Sequence, residues 1–255
     1  SPVLMECLQR DRENLIDVIL VSINANDRRY LSHQFNAMPV AAAKGVGIVG
    51  MKVFANGAMY SGEARWPTSP DDVVRTVGSP ELPSRRLVEY SLSTPGVATA
   101  IIGIGHIDGE SRRCQLEQNL SASQILPDSL SATERVEIEQ MAGKVKGGET
   151  NWFQHSQEPL SPPRDVRAVR AERNGSPIAR LSWQTAYAAD HPICHYEIAC
   201  NGRKVADVEH RPQTTKVPFA FETPLAKTEG SEYTVTTVDA SGRRAASVAL
   251  PLPVG

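Results

Sequence analysis

The chain has little of several things, and each shortage excludes a class of protein. Aromatic residues make up only 5% of its 255 positions, and there are four cysteines, Cys7, Cys114, Cys194 and Cys200. Four thiols over this length are far too sparse for a disulfide-stapled secreted scaffold. Cys194 and Cys200 fall six apart within one expected strand, about 20 Å at ~3.3 Å per residue, too far for a mutual bridge. No run approaches the ~20 apolar residues that a membrane-spanning helix needs. Neither sign of charge dominates: the formal net charge is −2, with charged residues at 22%. There is thus no basic footprint for nucleic acid and none for an anionic membrane surface. The chain opens on Ser1-Pro2, with no initiator Met and no charged-then-apolar leader. A missing upstream segment is therefore expected, and the compartment, cytoplasmic or exported, is not readable.

What is present falls into two halves with different patterns. After an N-terminal helix over about 4–14, residues 17–24 form a nearly continuous apolar run rich in β-branched residues. Such a run reads as a parallel strand buried on both faces. A helix is expected over about 27–44, with Pro39 kinking or breaking it and Gly45 stopping it. A second strand covers 46–54, a helix 83–94 and a third strand 97–105. Helices follow over about 110–122 and from the capping-box sequence Ser131-Ala132-Thr133-Glu134 to about Lys146. Three β–α units in series imply right-handed crossovers and a parallel sheet. Three parallel strands leave edges and a face without cover, so this half reads as the later part of a larger α/β fold.

Beyond Ser161-Pro162-Pro163 the pattern becomes alternating strands: 166–170, 178–185, 195–200, 204–208, 215–221, 232–238 and 244–250. They are punctuated by Asn174-Gly175, Asn201-Gly202 and Ser241-Gly242 turns. Seven short strands at this spacing predict an antiparallel sandwich. Trp183 should face the core with Leu181, as should Tyr196 with Ile198 and Tyr233 with Val235 and Thr237. The chain is thus multidomain, α/β plus all-β, with units at 1–147 and 163–255 joined by a linker over 148–162.

Independent searches for chemistry return little. Gly103-Ile104-Gly105 follows a strand but lacks the third glycine of a dinucleotide loop. No phosphate-loop lysine motif and no Gly-x-Ser-x-Gly elbow occurs. His191, Cys194, His195 and Cys200 match no zinc spacing, and strand alternation separates Cys194 from His195, so no metal is expected of that set. The arginines spread over 164–173 read as one charged, exposed strand.

The second half resembles a fibronectin type III domain. The resemblance rests on Pro162-Pro163, Leu181-Ser182-Trp183, Tyr196-Glu197-Ile198, Tyr233-Thr234-Val235 and Val238-Asp239-Ala240-Ser241-Gly242. It implies an immunoglobulin-like β-sandwich used for binding or spacing, with a protein or polysaccharide partner. The first half resembles the C-terminal part of an aldo/keto reductase. Three segments carry this: the strand ending in Asn24 with Asp27-Arg28-Arg29 after it, Lys44 through Gly57, and 97–105 followed by Gln115-Leu116-Glu117-Gln118-Asn119-Leu120.

That resemblance implies strands 6–8 of a (β/α)8 TIM barrel that reduces a small-molecule carbonyl substrate with NADP or NAD. Barrel sites lie at the C-terminal strand ends. The implied cofactor-binding residues are Asn24, Met51, Lys52, Gly103, Gly105, Gln118 and Asn119. Met51 stands where many relatives stack an aromatic ring on the nicotinamide. Leu20 stands where many carry a glutamine for the carboxamide. Lys52 is placed to approach cofactor phosphate, and Gln118 and Asn119 match the pair near the adenine. Arg112 and Arg113 read either as a grip on a 2′-phosphate or as solvated helix residues. The family's catalytic tyrosine, aspartate, lysine and histidine belong to earlier strands. Tyr30, Tyr60, Tyr90, His33 and His106 are out of register with them, so no catalytic residue is assigned and the chain alone is expected to be inactive. The alternative is a non-catalytic binding protein with a degenerate barrel and a partner- or polymer-binding sandwich.

Overall fold

The computed structural model describes residues 1–25, 32–55, 82–104, 115–125, 129–145, 158–225 and 230–252. The first half holds helix α1 (Pro2–Arg10), strand β1 (Val18–Ser22), a 3₁₀ turn (His33–Phe35) and α2 (Ala37–Ala43). After these come β2 (Gly47–Met51), α3 (Ser84–Leu92), β3 (Val97–Ala100), α4 (Gln115–Ser121) and α5 (Ala132–Val145). The three strands form a parallel sheet in the order β1-β2-β3.

One face of this sheet is well covered. Ile19, Val21 and Ile48 pack under Met5 and Leu8 of α1 and Ala37, Met38, Val40 and Ala41 of α2. Leu87, Val88 and Tyr90 of α3 join Ile138 and Ala142 of α5 in a second cluster with Val53, Phe54 and Ala55. The other face of β1 is bare, with Val18 57% and Leu20 49% exposed. That corrects the expectation of a strand buried on both faces. The apolar run is real, but among the described residues only the Ile19–Val21 side has helices against it. No closed barrel is formed among the described residues, which hold three parallel strands in this half.

Several expected boundaries shorten. β3 stops at Ala100, although the Ile101 amide still bonds to the Gly50 carbonyl. β2 stops at Met51 because Lys52 turns to φ +58°. Pro39 does not break α2. It lies in the first turn, where the missing N–H is one that no helix carbonyl would have accepted. The capping box is formed: Ser131 N–H and Oγ–H both donate to Glu134 at 2.8 Å, and the Glu134 N–H returns to Ser131 Oγ. Gly96 closes the α3–β3 turn at φ +86°, and a Cβ there would lie 3.2 Å from Ile48 Cδ1, so glycine meets both a backbone and a space requirement.

The second half is a two-sheet antiparallel sandwich. Its strands are β4 (Arg164–Arg173), β5 (Ser176–Gln184), β6 (Ile193–Cys200), β7 (Arg203–Glu209), β8 (Phe219–Pro224), β9 (Glu232–Asp239), β10 (Arg244–Ala246) and β11 (Leu250–Pro251). One sheet runs β4-β5-β8 and the other β10-β9-β6-β7, with β11 also on β9. The seventh expected strand is thus divided in two. Trp183, Tyr196, Tyr233, Leu181, Ile198, Val235 and Thr237 are all buried. The Trp183 ring meets Tyr196 edge-on at 5.4 Å and stacks on Phe219 at 5.9 Å, geometries that aromatic quadrupoles favour. The core also takes in Leu160, upstream of β4. Asn174-Gly175 and Asn201-Gly202 all have positive φ, as a two-residue hairpin turn requires.

The halves touch through polar bonds. Asn36 accepts from the Ala188 N–H at 2.9 Å and donates to the Ala188 carbonyl at 3.0 Å. Gln9 Nε2 donates to the Gln213 carbonyl at 2.9 Å, and Lys216 pairs with Glu6 at 2.6 Å. The Lys216 hydrogen bond, then that of Arg10, holds the Glu6 carboxyl down at about 2.

Candidate functional site

The C-terminal ends of β1 and β2 meet through their backbones and one side chain. Ile23 N–H donates to the Met51 carbonyl at 3.0 Å, and Asn24 Nδ2 donates to the Lys52 carbonyl at 3.0 Å. Asn24 is fully buried. Its amide therefore does a structural job, tying two strand ends together. Met51 and Lys52 are half-buried at the same rim. Lys52 is lifted by its left-handed backbone, a conformation that re-aims the chain where the strand ends. Of the expected set, the structure brings Asn24, Met51 and Lys52 together.

The others divide. Gly103 is exposed beyond β3. Gly105, Arg112, Arg113, Tyr30, Tyr60 and His106 lie outside the described residues, as does the side chain of Gln118. Asn119 stands on α4, which packs against α3. Its Nδ2 and Oδ1 are both shielded from solvent with no hydrogen-bond partner. An amide desolvated on both sides costs roughly 1–3 kcal/mol unless something pairs with it, so among the described members of this set Asn119 has capacity left for a ligand. Leu20 is exposed on the bare sheet face and offers no hydrogen bond.

Tyr90 is excluded as an acid by its surroundings. It is completely buried, and burial, with Glu139 beside it, pushes its hydroxyl far up. The hydroxyl donates to Glu139 at 2.7 Å, while the Arg135 guanidinium lies 4.1 Å over the ring. Arg135 also bonds the Tyr90 carbonyl, Ser93 Oγ and Thr94 Oγ1. This network joins α3 to α5. His33 is half-buried, its Nδ1 unpartnered, and burial lowers it to about 4.

A cavity lies where the halves meet, lined by Met5, Phe35, Asn36, Thr185, His210 and Gln213 among others. At about 10 Å³ it has room for about one water molecule, so it is not a substrate pocket. His210 contacts the Tyr196 hydroxyl through Nδ1 at 3.3 Å, and burial lowers it to about 4. Sequence proximity missed one further group, His195, Glu197 and Asp207 on β6 and β7.

No family model and no curated protein matches the chain. Solved structures give distant likenesses. Aldo-keto reductase AKR11C1 from Bacillus halodurans, in its holo form, is 21% identical at a TM-score of 0.38; the match covers 61% of this chain and 48% of that one. The central fibronectin-III array of RIM-binding protein is 16% identical at a TM-score of 0.30, covering 38% of this chain and 35% of that one. The fibronectin(III)-like modules of Clostridium thermocellum CbhA are 16% identical at a TM-score of 0.25, covering 37% of this chain and 92% of that one. The chain thus spans less than half the length of the reductase, and about a third of the array, that it matches.

Proposed function

We propose that this chain is the C-terminal portion of an NAD(P)H-dependent aldo/keto reductase-like oxidoreductase carrying a fibronectin type III-like domain, with units at about 1–147 and 163–255. The observation that carries this reading is the β1-β2-β3 parallel sheet, helix-covered on one face and bare and apolar on the other. A parallel sheet is stable when both faces are covered, and further barrel strands would supply that cover. The nicotinamide group supplies a hydride for carbonyl reduction when bound. The adenine end of such a cofactor fits the residues present, because Asn119 has a shielded donor and acceptor with no partner. Lys52 would face the phosphates and the Met51 thioether the nicotinamide ring. The carboxamide loses its usual partner, since Leu20 offers no hydrogen bond. We assign the proton-donating role to none of the described residues.

Titration calorimetry with NADP⁺ and with 2′-phosphoadenosine, beside a turnover assay with NADPH and aldehydes, tests this. The expected result is weak binding of both ligands, lost in Asn119→Ala, and no turnover. Turnover by this chain, or binding indifferent to Asn119, contradicts it. A chain that binds neither ligand favours the second reading, a degenerate barrel in a binding protein, toward which Leu20 and Met51 point.

A further inference from the structure

On the outer face of the second sheet, β6 presents His195 and Glu197 two residues apart, and β7 places Asp207 directly opposite Glu197. Strand alternation sends all three to the same side, because Tyr196 and Ile198 between and after them are buried in the core. His195 Nε2 lies 3.7 Å from Glu197 Oε1 and 3.7 Å from Asp207 Oδ1. One ligand atom from each of the three lies within 4.8 Å of the others.

A tetrahedral zinc ion bonds N and O donors at ~2.0–2.2 Å, which sets those donors ~3.3–3.6 Å apart. The two histidine–carboxylate separations are within a small side-chain adjustment of that. A cation already stands near this point. Lys204 Nζ lies 3.1 Å from Glu197 Oε1 and 2.8 Å from Asp207 Oδ1, bridging the two carboxylates that face the imidazole. Lys204 is 49% exposed, so its ammonium can swing into water at little cost. Arg244 also pairs with Glu197, through the other carboxylate oxygen.

We propose that His195, Glu197 and Asp207 form a zinc site on the outer face of the sandwich, with the Lys204 ammonium as the resident cation that the metal displaces. One imidazole and two carboxylates suit Zn²⁺. Ca²⁺ asks for six or more oxygens and Mg²⁺ for an octahedron of them. The fourth position is left to water. The strand-pair register makes the site, so no short sequence spacing announces it.

The test is calorimetric titration of Zn²⁺ into the full chain after EDTA stripping, with thiols blocked by iodoacetamide so that cysteines cannot contribute. One Zn²⁺ per chain is expected. His195→Ala and Asp207→Asn should each weaken binding by at least the ~10–100-fold that loss of an outer-shell partner costs. Lys204→Ala should bind more tightly than the parent, because the competing ammonium is gone. All three positions face solvent, and an unchanged urea midpoint confirms folding. Zinc affinity indifferent to His195, no measurable zinc binding, or a Lys204→Ala chain that binds no more tightly would each overturn the proposal.

Discussion

The two halves of this molecule solve the same problem to different degrees. In the sandwich, two sheets bury each other's inner faces, and Trp183, Tyr196 and Phe219 fill the space between. In the α/β half, helices cover one side of a three-stranded sheet while Val18 and Leu20 face outward on the other. In the first arrangement each sheet covers the other, with Leu160 and Phe35 closing the core from outside the strands. The second has its caps and turns in place, but among the described residues Val18 and Leu20 on the outer face of β1 have no layer over them. Local consistency is therefore a poor guide to whether a layer architecture is complete, because completeness depends on what packs across the sheet.

The largest expected effect breaks the stronger half. Trp183→Ala removes the centre of the aromatic cluster from a fully buried site and should cost about 3–5 kcal/mol. The urea midpoint should fall accordingly.

Next comes pH. His33 and His210 are both held at about 4 by burial, against ~6.5 in an unfolded chain. The unfolded chain therefore binds more protons between these values. Stability contributed by the neutral rings is present above about pH 6.5 and is lost as pH falls toward 4, by on the order of a few kcal/mol in total. Urea titrations at steps across that range should show it, and His210→Gln should flatten part of the slope. A flat stability profile from pH 6.5 to 4 would contradict the burial of both rings.

The smallest effect sharpens the contrast. Leu20→Glu places a charge on the bare face, so it should change stability by no more than ~0.5 kcal/mol, as surface substitutions do. It should also reduce the self-association expected of an open apolar sheet, as read by sedimentation velocity. A large loss of stability would mean that the face is covered.

How much of this was legible in the sequence differs by half for the same physical reason. The sandwich was readable because alternation is local. Leu181 and Trp183, Tyr196 and Ile198, and Tyr233 and Val235 all point inward as expected, and the Asn-Gly pairs occupy turns with positive φ. Two strands were exceptions: 215–221 is a strand only from Phe219 and runs on to Pro224, and 244–250 is divided by an interruption after Ala246. In the α/β half the elements were readable but their environment was not. An apolar run such as Val18–Val21 has the same sequence whether one face is covered or two. Pro39 reads as a breaker only in a helix that begins near residue 27; α2 begins at Ala37, so the proline falls in its first turn. At the strand ends, Asn24 read as a ligand; the structure shows its amide donating across to the Lys52 carbonyl, a contact that spacing along the chain does not announce. The pairing of Asp207 opposite Glu197 is a matter of register, which residue spacing does not encode.

The central claim is that the sandwich is complete and the parallel sheet is open. Native-state hydrogen exchange on the intact chain tests it most directly. The account predicts that amides of β5, β6 and β9 exchange only through global unfolding, while those of β1, at a free edge beneath a bare face, exchange through a far smaller opening. Protection across β1, β2 and β3 equal to that of the sandwich strands would contradict it.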